Sequence, residues 1–108
     1  MAAPTVLKSD NFINVSTITE DAEWYTILNH TTNKVNKFKR IEFIGGADND
    51  ILVVRQNDGS GAEICRLGTP DVERPDRIYF FGGQYLTPFI DFGDCTLNAG
   101  HKVIFELE

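Results

Sequence analysis

The residues of this sequence best suited to chemistry are two histidines and two cysteines, and their spacing indicates no catalytic site. His30 lies in a turn sequence and His101 starts a strand, and neither neighbours a candidate nucleophile along the chain. No GxSxG segment supports a Ser-His-Asp site. Cys65 and Cys95 stand 30 residues apart with no CxxC pair. We interpret them as reduced, buried thiols, with a disulfide as the alternative, and we expect no enzyme.

Metal and phosphate binding have little support in the sequence. The segment 48–50 (Asp-Asn-Asp) begins like a calcium loop but lacks the glycine at the sixth position and the glutamate at the twelfth. Acidic residues in the 68–76 loop could gather around a hard cation, although solvated carboxylates explain them more simply. The glycine pairs 45–46 and 82–83 precede no helix start, so they predict tight turns or bulges. We expect neither a metal nor a cofactor.

Charge also limits the possible partners. The 108 residues carry a net charge of −6, and 42% of them are hydrophobic. Lys34, Lys37, Lys39 and Arg40 lie within seven residues; this cluster contributes +4, so the remainder carries −10. A net negative charge disfavours binding to nucleic acid or to an anionic membrane. The basic cluster is either a solvated strand face or a contact for an acidic protein surface. We see no signal peptide and no membrane span, and we expect synthesis in a cytosol.

The elements that would position these residues are short strands. Alternating and β-branched segments separated by turn residues predict eight or nine strands at a spacing of roughly ten residues. This pattern predicts an all-β, single-domain antiparallel β-sandwich, jelly-roll-like or a small barrel, over residues 1–108. We expect a flexible N-terminal arm at 1–10, a strand at 24–28, and a hairpin loop at 57–61 whose Asp-Gly pair supplies positive φ. The run 51–55 predicts a strand that is covered on both faces.

Two further strands carry more specific expectations. In the last strand, Val103, Phe105 and Leu107 alternate with polar residues and should face the core. Ile104 breaks that alternation on the outward face, which suggests that this face is covered in an assembly. Pro88 predicts that its strand, 85–92, lies at an edge or a bulge.

Aromatic residues exceed what one face of a small sheet needs. In adjacent pairs such as Phe80 and Phe81 the two rings must point to opposite faces, so one of them faces the core and the other lies either under a second layer or at an interface. The candidate partner-binding residues are Trp24, Tyr25, Lys37, Lys39, Arg40, Tyr79, Tyr85 and Ile104.

The order of segments over residues 37–108 resembles that of a known group of proteins. The segments are a basic-apolar strand (37–43), Asp50, Val53-Val54-Arg55, a glycine-containing hairpin, an aromatic strand leading to Gly82-Gly83, Tyr85 and Pro88, then Asp94-Cys95-Thr96-Leu97 and a closing Lys102–Leu107 strand. This order is similar to small all-β virion structural proteins of tailed bacteriophages. It most resembles head decoration, or cement, proteins.

The resemblance implies a non-enzymatic virion protein, made in the bacterial host cytoplasm, that binds the major capsid protein shell and stabilises it. It also implies a homo-oligomer, a dimer or a trimer, that docks through residues 1–10 and 68–76. A tail, baseplate or head–tail joining component is one alternative. A carbohydrate-binding β-sandwich that uses Trp24, Tyr25 or Tyr85 is another.

Overall fold

Two antiparallel sheets face each other in this protein. The structure is a computed structural model that describes residues 4–9, 11–24, 27, 36–71 and 74–107. Its strands in this part of the chain are β1 (Thr5–Ser9), β2 (Phe12–Ser16), β3 (Ala22–Glu23), β4 (Asn36–Ile44), β5 (Asp50–Gln56), β6 (Glu63–Thr69), β7 (Asp76–Leu86), β8 (Pro88–Ile90) and β9 (Lys102–Leu107). A short 3₁₀ turn, Phe92–Asp94, follows β8.

The strand order is that of a jelly roll with one added strand. One sheet has the order β1-β2-β9-β4-β7 and the other has the order β3-β8-β5-β6. From β2 onward each sheet receives strands from both halves of the chain, which is the double Greek-key arrangement of a jelly roll. The predicted β-sandwich is confirmed. The small-barrel alternative is wrong, because the two sheets remain separate.

Alternation of side chains determines which face of each strand is buried. In β9, Val103 and Phe105 are fully buried and Leu107 packs against the core, as the sequence predicts. In β5, Leu52, Val53 and Val54 are all inaccessible to solvent. Consecutive strand residues point to opposite faces, so β5 is covered on both sides, and that prediction is also confirmed.

Three aromatic rings form the centre of the core. Trp24 packs edge-on against Phe38 and Phe105, with ring centroids 4.9 and 5.4 Å apart, and Phe38 and Phe105 lie 5.9 Å apart. Trp24 is only 1% exposed, which corrects its assignment as a partner-binding residue. The strand predicted for 24–28 is also wrong where it can be checked. Trp24 and Ile27 have helical backbone, and this spacing places both side chains in the core.

The predicted arm and loops differ from the structure in part. Residues 5–9 form β1, which pairs antiparallel with β2, so the expectation of a flexible arm is wrong for these residues. The hairpin loop at 57–61 is confirmed between β5 and β6, but its positive φ falls on Asn57 (φ 71°) and not on the Asp-Gly pair. The loop predicted at 68–76 is shorter, because β6 continues to Thr69 and β7 begins at Asp76.

Pro88 marks the point at which the chain changes sheets. The sequence predicts one strand over 85–92, but β7 ends at Leu86 in the five-stranded sheet and β8 begins at Pro88 in the other sheet. β8 lies between β3 and β5, so the prediction of an edge strand or bulge is wrong. Proline is compatible with an inner strand at its first residue, where a missing N–H breaks no internal ladder bond.

A buried carboxylate holds the connections at one end of the sandwich. Oδ2 of Asp50 accepts hydrogen bonds from the N–H groups of Gly46 (2.8 Å) and Asn98 (3.0 Å), and Oδ1 accepts one from the Asn98 side chain. A Cβ atom at position 46 would lie 2.1 Å from the carbonyl oxygen of Ala99, so only glycine permits this approach. Burial raises the pKa of Asp50, but the hydrogen bonds from Asn98, Gly46 and Ala47 outweigh it and lower the pKa below 3.8.

We predict that Phe105→Ala lowers the free energy of unfolding by about 3–5 kcal/mol, because it leaves a cavity beside two other rings. Urea unfolding followed by circular dichroism measures this loss. Phe81→Ala is the matched control: the Phe81 side chain is 96% exposed, so the same substitution should change stability by less than about 0.5 kcal/mol. Equal losses in the two variants would contradict the assignment of the core.

The lowered pKa of Asp50 predicts that the free energy of unfolding decreases at acid pH. Because its pKa is lowered in the folded state, its contribution is complete above pH 3.8 and is lost as the pH falls through the folded pKa. Asp50→Asn should cost about 1.5–3 kcal/mol at neutral pH, since an amide group then faces N–H donors. Unfolding titrations between neutral and strongly acidic pH test both points. A variant as pH-dependent as the wild type in the acid range would contradict the proposed role of Asp50.

Candidate docking surface

His101, the one histidine within the described residues, is committed to structure. Its Nε2 atom accepts a hydrogen bond from the backbone N–H of Ile18 (3.0 Å), so the ring proton is on Nδ1, which donates to the carbonyl oxygen of Asn98 (2.8 Å). The side chain is 4% exposed. A general base needs a ring nitrogen that can reach a substrate, and both nitrogens here are occupied. His30 lies outside the described residues.

Both cysteines are free thiols, and neither is activated. Burial raises the pKa of Cys65 to about 12. Burial also raises the pKa of Cys95, whose Sγ atom accepts the N–H of Val53 (3.2 Å) and donates to the carbonyl of Asp91 (3.2 Å). This sulfur accepts a hydrogen bond from β5 in the place where a sheet would usually supply a backbone carbonyl. A nucleophilic cysteine needs a lowered pKa and access to solvent, so neither thiol fits that role.

The acidic segments serve as structural hydrogen-bond acceptors. Asp50 is the buried carboxylate described above, and Asp76 accepts the N–H groups of Gly68 and Arg77. No cluster of three or more metal-ligating side chains occurs in the described ranges. Nor does any helix there have the length and apolar content to cross a membrane.

The remaining candidate residues lie on the outward face of the five-stranded sheet. We call this face the outer-sheet surface. It is formed by the outward residues Leu7, Phe12, Lys37, Lys39, Arg40, Glu42, Ile44, Arg77, Tyr79, Tyr85, Lys102, Ile104 and Glu106. Cross-strand pairing brings the members together: Arg40 pairs with Tyr79 and with Glu106, and Glu42 pairs with Arg77 and with Ile104.

An ion-pair network fixes the polar side chains of the outer-sheet surface. Glu42 Oε1 lies 3.1 Å from Arg40 Nη1 and 3.5 Å from Arg77 Nε. Glu106 lies 3.3 Å from Arg40 Nε and 3.7 Å from Lys39 Nζ. The Nε atom of Arg40 is close enough to Glu106 for an ion pair, but the two groups are not aligned for a hydrogen bond. Exposed pairs contribute little stability individually, but a network holds the long side chains in place.

Large apolar side chains stand between and around these charges. The exposed fractions are 67% for Leu7, 43% for Phe12, 51% for Tyr79 and 65% for Tyr85. Cations lie over two of the rings: Lys37 Nζ is 5.8 Å from the ring centre of Tyr85, and the guanidinium of Arg40 is 5.9 Å from that of Phe12. Rings and cations on a rigid sheet are typical of the residues that contribute most to protein interfaces.

A bulge in β7 presents one further ring. Arg40 pairs with Tyr79 and Phe38 with Gln84, so residues 80–83 oppose the single residue Lys39. Gly82 and Gly83 both have φ of +80°, which glycine adopts without strain. Phe80 packs against the core and Phe81 is 96% exposed. The expectation that the two rings point to opposite faces is therefore confirmed, as is the bulge at the glycine pair.

The outer-sheet surface is cationic in an anionic protein. It contains five cations and two carboxylates and therefore has a net charge of +3. The whole chain has a net charge of −6, so the rest of it carries −9. The basic patch predicted from residues 34–40 thus becomes larger in the structure, because pairing adds Arg77 and Lys102 to it. Lys34 lies outside the described residues.

Six of the eight candidate residues lie together; of the other two, one is buried and one lies outside the described residues. The outer-sheet surface contains Lys37, Lys39, Arg40, Tyr79, Tyr85 and Ile104. Trp24 is in the core, and Tyr25 lies outside the described residues. The sequence analysis missed Leu7, because the expected arm at 1–10 hid a strand that extends this surface. It did not select Phe12 either, although Phe12 lies outside that arm. It also left out Phe81, although the Phe-Phe-Gly-Gly sequence was a usable signal.

Comparison with protein-family models, with curated proteins and with solved structures gave no match for this chain.

The state of the two thiols can be checked directly. We predict that neither Cys65 nor Cys95 reacts with Ellman's reagent at pH 8 in the native protein, and that both react at once in denaturant, because the thiolate form is suppressed by burial. A serine variant of each cysteine assigns the signals. Rapid reaction of either native thiol would contradict an inert role and would reopen the question of cysteine chemistry.

Proposed function

We propose that this protein is a non-enzymatic structural component of a bacteriophage virion, a decoration protein that binds the major capsid protein shell through the outer-sheet surface and stabilises it. The observation that supports it most is the exposure of Leu7, Phe12, Tyr79 and Tyr85 on one face of a rigid sheet. An exposed apolar surface of this kind usually marks a protein interaction site.

The fold is compatible with this proposal. A jelly roll presents flat, regular sheet faces and occurs in viral capsid domains, although a fold alone does not determine a function. The histidine and the cysteines of the described region are used inside the structure, which leaves a docking face as the part that can act on a partner. The net +3 of that face suits an acidic region of the shell, and opposite charges would orient the encounter.

Binding to shells tests the proposal. Purified protein should co-sediment with expanded shells assembled from a major capsid protein of the same genome, and should raise their melting temperature. The double variant Tyr79→Ser, Tyr85→Ser should weaken binding by roughly tenfold or more, because interface rings carry much of the binding energy. Circular dichroism should show an unchanged fold.

Ile51→Ser is the matched control, since Ile51 is 36% exposed on the other sheet and should not affect binding. Failure of the wild-type protein to bind any shell would refute a decoration role. Tens of copies per purified particle, in place of hundreds, would favour the alternative of a tail, baseplate or head–tail joining component.

A carbohydrate-binding module is the second candidate, because the exposed rings of Tyr79 and Tyr85 offer stacking surfaces. Trp24, the largest ring named for that role, is in the core and cannot contribute. A glycan array tests this candidate: loss of a glycan signal in the Tyr79→Ser, Tyr85→Ser variant would support it, and a blank array would eliminate it.

A further inference from the structure

Phe81 projects into solvent from the described part of the chain. It lies at the tip of the β7 bulge, on the edge of the five-stranded sheet, and is 96% exposed. No atom comes within 4 Å of the Cβ position at the adjacent Gly82, so the bulge itself stands clear of the rest of the described chain. An exposed phenyl ring does not help this fold, which places it in solvent while Phe80 packs inward.

A shallow pocket that is open to solvent lies on the opposite side of the sandwich. It has a volume of about 350 Å³ and is lined by Thr19, Glu20, Asp21, Phe92 and Gly93. Asp21 Oδ1 accepts the N–H of Phe92 at 2.8 Å, which fixes the two segments against each other. The depression is open to solvent, so it can cover one side of a phenyl ring beside Phe92 but cannot enclose the ring.

Strand order places the ring and the pocket on different edges. Asp76, the first residue of β7, accepts the N–H of Gly68 in β6, so β7 lies beside β6. The pocket adjoins β3, which is the opposite edge strand of the four-stranded sheet. One copy cannot place its own Phe81 in its own pocket.

The two sites have opposite charge. Near Phe81 lie the cations of the outer-sheet surface, including Lys37, Lys39 and Arg77. Glu20 and Asp21 line the pocket. The neighbouring residues Glu23, Asp91 and Asp94 add three carboxylates. Among the ion pairs of the described chain, Arg55 is the one cation that pairs with carboxylates of this group.

We propose that Phe81 of one copy inserts into the pocket between Thr19 and Gly93 of a second copy, in a head-to-tail contact. A second copy is the occupant because the chain carries both parts: an exposed ring among cations, and an open pocket among carboxylates that has room for one side of a ring. Two different surfaces meet in such a contact, so it is heterologous: it closes into a ring if the rotation permits, and otherwise extends as a chain.

Two single-sided variants test the contact. Phe81→Ser removes the ring, and the double variant Thr19→Arg, Glu20→Lys fills the pocket and reverses its charge. In sedimentation velocity over a range of concentrations the wild type should form species larger than a dimer. Each variant alone should remain a monomer, with an unchanged circular dichroism spectrum. Leu7→Ser, at the other edge of the five-stranded sheet, is the matched control and should assemble like the wild type.

A mixture of the two variants gives the decisive result. The pocket variant retains its ring and the ring variant retains its pocket, so an equimolar mixture should form a 1:1 dimer and no larger species. High salt should weaken this dimer because the charges around the contact are exposed. Gly93→Trp offers a second pocket variant at a position without positive φ, should Thr19→Arg, Glu20→Lys fail to fold.

Three results would overturn the proposal: a wild-type protein that stays monomeric at high concentration, a pocket variant that assembles normally, or a mixture that stays monomeric. The experiment uses purified protein alone and does not depend on the proposed virion function. Loss of shell binding with intact assembly, or the reverse, therefore separates the two proposals.

Discussion

A chain of hydrogen bonds at one end of the sandwich ties together three connections that are far apart in sequence. Gly46 and Asn98 donate to the buried carboxylate of Asp50, His101 donates to the carbonyl of Asn98, and Ile18 donates to the ring of His101. Core packing is non-directional, whereas these bonds have fixed geometry. They therefore hold the β4–β5 turn, the turn before β9 and the link after β2 in one arrangement, on which the register of the outer-sheet surface depends.

That arrangement shows the structural use of His101 and Cys95, two of the residues best suited to chemistry. A neutral imidazole and a half-buried thiol are useful wherever a backbone N–H lacks a carbonyl partner. His101 accepts the N–H of Ile18, and Cys95 accepts the N–H of Val53 beside an interrupted ladder. Both side chains replace backbone groups where the sheet becomes irregular. The charges and rings of the outer-sheet surface, in contrast, face solvent in the described chain.

The fold was predictable where a local pattern determines it. Burial follows directly from three local patterns: the alternation in β9, the apolar run in β5 and the adjacent rings of Phe80 and Phe81. The structure confirms the burial predicted from each of them. The errors concern long-range pairing. The strand at 5–9 exists because β2 offers an edge, and Pro88 starts an inner strand because the chain changes sheets there. Six candidate residues lie on one surface for the same reason. Trp24 does not, because its backbone is helical and the alternation of a strand therefore gives no guide to its burial.

The glycine pair in β7 has a consequence for behaviour at high protein concentration. An edge strand of eleven residues would be a long template for strand addition, which is the first step of sheet aggregation. The bulge at Gly82 and Gly83 interrupts it and leaves two shorter regular stretches, so β7 is a poorer template for a foreign strand. The same two residues that present a phenyl ring therefore disfavour strand addition at this edge of the five-stranded sheet.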